Sequence, residues 1–189
     1  MDKKTIYLAG PEVFLSNAID IGTEKKSLCA EFGFVGLFPF DNELPADVPA
    51  SERSRLIFEA NQAMMRRADL IIANLTPFRG PSADVGTVYE IGFMAGLGKP
   101  RFGYSNCPGD LLRKTVQADQ GAHKRAEDGA WVDSRQMSIE DFGNEDNLMI
   151  TESLAAGISK LVVIDVPEQE RFSNLEGFRR CLSLAQTLR

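Results

Sequence analysis

The sequence predicts an α/β fold built on a parallel sheet, and three observations lead there. Short apolar runs of strand length alternate with longer segments of helical periodicity. Turn-forming residues close the runs, as at Gly10-Pro11, Pro39 and Thr76-Pro77. The length of 189 residues suits one domain with its own core, and no internal repeat or linker divides it.

Taken in order, Thr5 to Ala9 reads as a buried strand ended by Gly10-Pro11, followed by a helix from about Asn17 to Glu31. Phe34 to Phe38 is a second strand, closed by Pro39. Helical spacing resumes near Ser51, a residue type suited to capping that helix. Leu70 to Leu75 is the cleanest strand. Gly86 to Leu97 is a helix with Val88, Ile91, Gly92 and Ala95 on one stripe, and Gly98-Lys99-Pro100 is strong stop chemistry. Arg101 to Tyr104 is a fourth strand, whereas Ser105 to about Asp146 is long, polar and without clear periodicity. Leu148 to Ile158 is a helix, Lys160 to Val166 a fifth strand, and Asn174 to Leu188 a closing amphipathic helix. The expected architecture is a flavodoxin-like, doubly wound, five-stranded parallel sheet with helices on both faces, in one domain over residues 1–189. Ligands in such sheets bind at the carboxyl ends of the strands near the switch in strand order. The loops after the first and third strands are therefore the places to seek chemistry.

Bulk composition narrows the function classes. A formal net charge of −6 disfavours nucleic acid polymers as partners, because phosphate binding needs a basic surface. A small neutral nucleoside stays allowed. Cys29, Cys107 and Cys181 are scattered without a C-x-x-C spacing and read as reduced thiols. Met1-Asp2-Lys3-Lys4 runs straight into an apolar strand, unlike a signal peptide, and no apolar run is long enough to span a bilayer. The expectation is a cytoplasmic protein with no membrane partner.

The loop and helix start after the third strand hold two carboxylates, Asp84 and Glu90, which bracket a strand-to-helix turn and can face one cleft. A Glu90 in the first helical turn would be kept ionised by the helix N-terminus, as a carboxylate nucleophile requires. Carboxylates serve glycosidic cleavage by stabilising an oxocarbenium-like transition state and forming a covalent glycosyl intermediate. Thr87-Val88-Tyr89-Glu90 also matches a capping box, which local pattern alone favours for Glu90. Taken singly, Asp84 reads as a loop or capping residue, and Tyr7 as a core residue whose hydroxyl is satisfied locally.

The combination is more specific. Tyr7-Leu8-Ala9-Gly10-Pro11 with Phe14, Asp41-Asn42, Ala68 to Gly80, Asp84-Val85-Gly86-Thr87 with Tyr89-Glu90-Ile91-Gly92, and Asn147-Leu148-Met149 occur in order. This series resembles the nucleoside 2-deoxyribosyltransferase family, most specifically from Ala68 to Gly92. The resemblance implies cleavage of a 2′-deoxynucleoside, storage of the deoxyribosyl group on a glutamate, and its transfer to a free nucleobase with retention. It implies Glu90 as nucleophile, Asp84 as the acid that contacts the sugar and assists protonation at the base, and Tyr7 as the tyrosine that orients Glu90. It places Asn61 near the base, where an Asn gives less support for a general acid than an Asp. Gly10, Phe14 and Gly86 fall among the substrate-binding positions, and Phe14 is equally suited to stacking on the base or packing the loop. Asn147 and Met149 match a segment that reaches the sugar from a neighbouring subunit, which implies a homo-oligomer, a dimer or a hexamer, with shared sites.

Relatives acting on 5′-monophosphates carry a Ser- and Gly-rich turn after the first strand. Here Gly10-Pro11-Glu12-Val13-Phe14 stands there, and a Glu12 facing the pocket would repel a phosphate. An unphosphorylated nucleoside is the expected substrate. The polar stretch from Pro108 to about Met137 is longer than the shortest family members need and suits a lid or an oligomer contact. Its His123, the only histidine, is expected in solvent; zinc is not expected, and the chemistry requires no metal or cofactor. Three alternatives stay open: a nucleoside hydrolase with the same nucleophile, a phosphoribohydrolase whose paired-glycine motif this chain matches only in its tail, and an inactive nucleoside-binding module.

Overall fold

A computed structural model describes residues 3–42, 47–125 and 127–188. Met1, Asp2 and Ala126, which the leader reading and the polar stretch include, lie outside the described residues. The main sheet contains β1 (Thr5–Ala9), β2 (Val35–Leu37), β3 (Leu70–Asn74), β4 (Arg101–Ser105) and β7 (Lys160–Val163), all parallel in the order β2-β1-β3-β4-β7. That is the flavodoxin-like order, with the switch between β1 and β3. The helices are α1 (Ala18–Glu31), α2 (Ala50–Arg67), α3 (Val85–Gly96), α4 (Leu111–Ala118), α5 (Leu148–Ala155) and α6 (Glu176–Ala185).

Successive strand residues point to opposite faces, and the core divides accordingly. Ile6, Leu8, Leu70, Ile72, Phe102 and Tyr104 pack against Leu28 and Cys29 of α1 and Phe178, Cys181 and Leu182 of α6. Tyr7, Ala9, Ile71 and Ala73 pack against Met64 and Met65 of α2, Ile91 and Met94 of α3, and Ile150 and Leu154 of α5. Near-continuous apolar strands are what a sheet buried on both faces requires. Gly103 in β4 permits close packing, since a Cβ there would lie 2.8 Å from Leu75 Cδ1 and 2.9 Å from Leu154 Cδ1.

Several sequence-based boundaries shift. The second strand is only Val35–Leu37, the fifth ends at Val163, and α5 stops at Ala155. Ser51 is not the cap of α2: it lies inside the helix, which starts at Ala50 behind Pro49 without a side-chain cap. The polar stretch resolves into α4 and a small antiparallel hairpin of β5 (His123–Lys124) and β6 (Trp131–Val132). Asp110 caps α4 by accepting from the Arg113 N–H at 2.7 Å. His123 is exposed, as expected. Among the described residues no helix is long and apolar enough to cross a membrane.

Candidate active site

Tyr7 is held in β1 by pairing on both sides, with Leu37 of β2 and Ile71 of β3. Its ring is fully buried, and its hydroxyl donates to Glu90 Oε1 at 2.5 Å. The core reading and the positioning reading of Tyr7 thus coexist. Burial, and then the neighbouring Glu90 charge, push the phenol far above its ordinary range, so it stays a donor.

Glu90 corrects two expectations. It is the sixth residue of α3, past the first turn, and it does not cap the helix. Asp84 is the cap: its Oδ2 accepts from the Thr87 N–H at 2.9 Å and from Thr87 Oγ1 at 3.1 Å. Nor is the Glu90 carboxylate strongly held in its ionised form. Burial raises it to about 7, the Tyr7 hydrogen bond pulls it down, and the Asp84 charge pushes it up. The match T-x-x-E misled because Asp84, three residues before Thr87, took the cap first.

Both carboxylates open into one cleft of about 530 Å³ at the carboxyl ends of β1, β2 and β3. Gly10 and Phe14 come from the loop after β1, Phe40 and Asn42 from the loop after β2, Ile19 from α1, Ile57 and Asn61 from α2, and Gly86 and Thr87 from α3. The size suits a nucleoside. Phe14 is 55% exposed and stacks on Phe78 at 5.2 Å between ring centres, with the Arg79 guanidinium 5.1 Å from the Phe14 ring. Phe14 therefore packs on its neighbouring loop and faces the cleft at once.

The loop after β1 is fixed from beneath by a buried polar cluster that sequence reasoning missed. Glu12 is 1% exposed and turned away from the cleft. Its Oε1 accepts from Lys25 Nζ at 2.5 Å, Asn74 Nδ2 at 2.9 Å and the Tyr104 hydroxyl at 2.9 Å. Three donors compensate a buried carboxylate that would otherwise be costly. Gly10 must be small for the same reason, because a Cβ there would sit 1.9 Å from Glu12 Oε2. The expected repulsion between Glu12 and a phosphate therefore lapses. An anion is disfavoured instead by the lining itself, which among the described residues carries Asp84 and Glu90 and no lysine or arginine. The signal available in sequence was Glu12 and Lys25 together: the helix carrying Lys25 begins just after the loop carrying Glu12.

Asn147 and Met149 do not join Glu90 in this cleft. Asn147 caps α5, accepting from the Met149 N–H at 3.0 Å, and its amide also donates to Glu140. Both residues line a separate surface groove with Val85, Val88, Gly92 and Ala95 of α3. All four residues of the helical stripe, Val88, Ile91, Gly92 and Ala95, thus line that groove, and Ile91 is also buried in the core beside Met94. Buried Asp146 ties the two regions together, accepting from Ser82 Oγ and from the Ala83 N–H at 2.9 Å. Among the described residues no group of three or more His, Cys, Asp or Glu is placed to hold a metal ion.

Fold and site together define an α/β protein with a paired-carboxylate cleft at the switch point of a flavodoxin-like sheet. Residues 6–149 match the model of the nucleoside 2-deoxyribosyltransferase family, and the chain belongs to that family. A 2-deoxyribosyltransferase from Leishmania mexicana is 28% identical, with a TM-score of 0.61 over 91% of this chain and 96% of that one. An uncharacterised protein of Schizosaccharomyces pombe is 33% identical over 88% of this chain and 84% of its own length. A conserved protein from Enterococcus faecalis, 18% identical with a TM-score of 0.54 over 96% of this chain and 98% of that one, shares the fold.

Proposed function

We propose that this chain cleaves the N-glycosidic bond of an unphosphorylated 2′-deoxynucleoside and transfers the sugar to another nucleobase with retention of configuration. The observation that carries this reading is Glu90, whose carboxylate faces the cleft, is held by the Tyr7 hydroxyl and lies beside Asp84. In the first step a Glu90 oxygen bonds C1′ as the C1′–N bond breaks, and the departing base takes the bonding pair and a proton. Asp84 Oδ1 takes no hydrogen bond from the described residues and is free to hold the sugar or to relay a proton from water to the departing base. In the second step an acceptor base attacks C1′ from the face the first base left, opposite Glu90; the C1′–O bond breaks with its electron pair returning to Glu90, and the acceptor's proton passes to water. With its carboxyl at about 7, Glu90 is substantially ionised at neutral pH, as nucleophilic attack needs.

Asn147 and Met149 act on the site of a second copy. In support, they lie outside their own chain's cleft, in a groove where Val85 is 85% and Met149 73% exposed. A homo-oligomer that covers this groove would bring the segment to a neighbouring cleft.

Incubation with deoxyinosine, with and without adenine, tests the reaction. New deoxyadenosine is the expected product; hypoxanthine alone would mean hydrolysis, and no change over a panel of nucleosides would leave a binding module. Glu90→Ala is expected to abolish turnover with an unchanged circular dichroism spectrum, and full turnover by that variant would sink the mechanism. Sedimentation at micromolar concentration is expected to show a dimer or larger, reduced to monomer by Met149→Asp.

A further inference from the structure

The cleft has two chemically different sides. Strand order places the loop after β2 next to β1 and two strand spacings, roughly 10 Å, from the loop after β3. Asp84 and Glu90 belong to the β3 side. On the β2 side the lining is Phe40 and Ile57 with two amides, Asn42 and Asn61. An apolar slot with few polar groups is what a heterocycle needs, so a base attached to a sugar over Glu90 extends toward these amides.

The orientation of those amides is determined by a backbone carbonyl. The Pro39 carbonyl only accepts, and it takes Asn42 Nδ2 at 3.1 Å. The same Nδ2 donates to Asn61 Oδ1 at 3.0 Å. Turning the Asn61 amide over would set two NH₂ groups against each other. Its oxygen is therefore committed to Asn42, and its own Nδ2 has no partner among the described residues. A carboxylate at this position would present an acceptor, whereas this amide presents a donor.

We propose that Asn61, oriented by Asn42, selects nucleobases that carry a carbonyl at the edge facing it, the 6-oxopurines and 4-oxopyrimidines, over those carrying an exocyclic amine. This rests on the nucleoside reading of the cleft. An oxo base accepts from Asn61 Nδ2, while an amino base brings a donor against a donor and leaves both unpaired, a mismatch worth about tenfold or more in affinity. Asn61→Asp keeps an acceptor for Asn42 and changes the cleft-facing atom from donor to acceptor. Asn42→Ala frees the Asn61 amide to rotate.

The test is equilibrium binding to Glu90→Gln protein, which holds nucleosides without turnover, using deoxyinosine against deoxyadenosine and deoxyuridine against deoxycytidine. The oxo member of each pair is expected to bind about tenfold tighter or more. Adding Asn61→Asp is expected to reverse the order, and adding Asn42→Ala to bring the ratio near one. Equal affinities, or an amino preference insensitive to Asn61→Asp, would overturn the assignment. A parallel turnover assay on the unsubstituted protein separates the two readings. Turnover without discrimination overturns this assignment and leaves the transferase reading, whereas discrimination in binding without turnover does the reverse. Failure of all four nucleosides to bind overturns both.

Discussion

Tyr7→Phe isolates the hydrogen bond on which the state of Glu90 depends. The phenyl ring keeps the buried packing in β1 and removes only the 2.5 Å donor to Glu90 Oε1. That bond favours the ionised carboxylate, against burial and the Asp84 charge, so its loss moves Glu90 upward from about 7. A hydrogen bond to a charged group contributes about 1.5–3 kcal/mol. At 1.36 kcal/mol per pH unit, the rising limb of kcat/KM moves up by about one to two units. A group at about 7 is half ionised at neutral pH; at about 8 to 9 the ionised fraction falls to roughly a tenth to a hundredth. Activity at neutral pH should drop about five- to fiftyfold and recover largely by about pH 9. The assay is initial rate of base release against pH under limiting substrate. An unshifted midpoint, with activity lost equally at every pH, would refute the reasoning.

The remaining expectations follow from the same contacts. Asp84→Asn retains a capping side chain and removes the like charge, so the rising limb should move to lower pH while kcat falls about 10²- to 10⁴-fold through loss of the proton relay to the base. For stability, a carboxyl raised to about 7 in the fold binds its proton more tightly than in the unfolded chain. Stability should therefore fall as pH rises from about 4.5 through 7, by roughly 3 kcal/mol in all, and Glu90→Gln should abolish that fall in urea titrations at two pH values. Lys25→Met leaves Glu12 charged and buried, and should cost about 3–5 kcal/mol in urea unfolding, with partial recovery on adding Glu12→Gln.

Much of the fold was legible because its signals are local. A strand such as Leu70 to Asn74, covered on both faces, has to be apolar throughout, and Gly98-Lys99-Pro100 can hardly continue a helix. Lys99 goes further than stop chemistry, donating to the carbonyls of Met65 at 3.1 Å and of Arg66 and Ala68 at 2.5 Å, where α2 ends. The stretch from Ser105 to Asp146 was illegible because its elements are short and supported by side-chain caps. Asp110 starts α4, and Asp133 accepts from the N–H groups of Arg135 and Met137 beside the small hairpin. Ser51 misled because the first turn of α2 is exposed, where a serine inside the helix is nearly as acceptable as one at its cap.

The site was legible as a set of residues but not as a set of environments. Asp84, Glu90, Tyr7, Gly10, Phe14, Asn61 and Gly86 lie together, and Asn147 and Met149, which the resemblance assigns to a neighbouring subunit's site, lie outside their own chain's cleft. Charge states could not be read, since they depend on burial that only the packed sheet creates. A lone glutamate one turn into α3 would stay fully ionised at the surface. Brought over Tyr7 and beside Asp84, it reaches about 7. The same geometry makes the cleft a point of stored cost. Glu90 is less comfortable above neutral pH than a glutamine would be, and the three-donor clasp on Glu12 holds the adjoining loop rigid while that cost is borne. Softening the clasp should therefore damage the orientation of Gly10 and Phe14 before it damages the chemistry of Glu90. In the Glu12→Gln/Lys25→Met protein this would appear as a raised KM with the pH midpoint of kcat/KM unmoved; a shifted midpoint would mean that the clasp and Glu90 are electrostatically coupled after all.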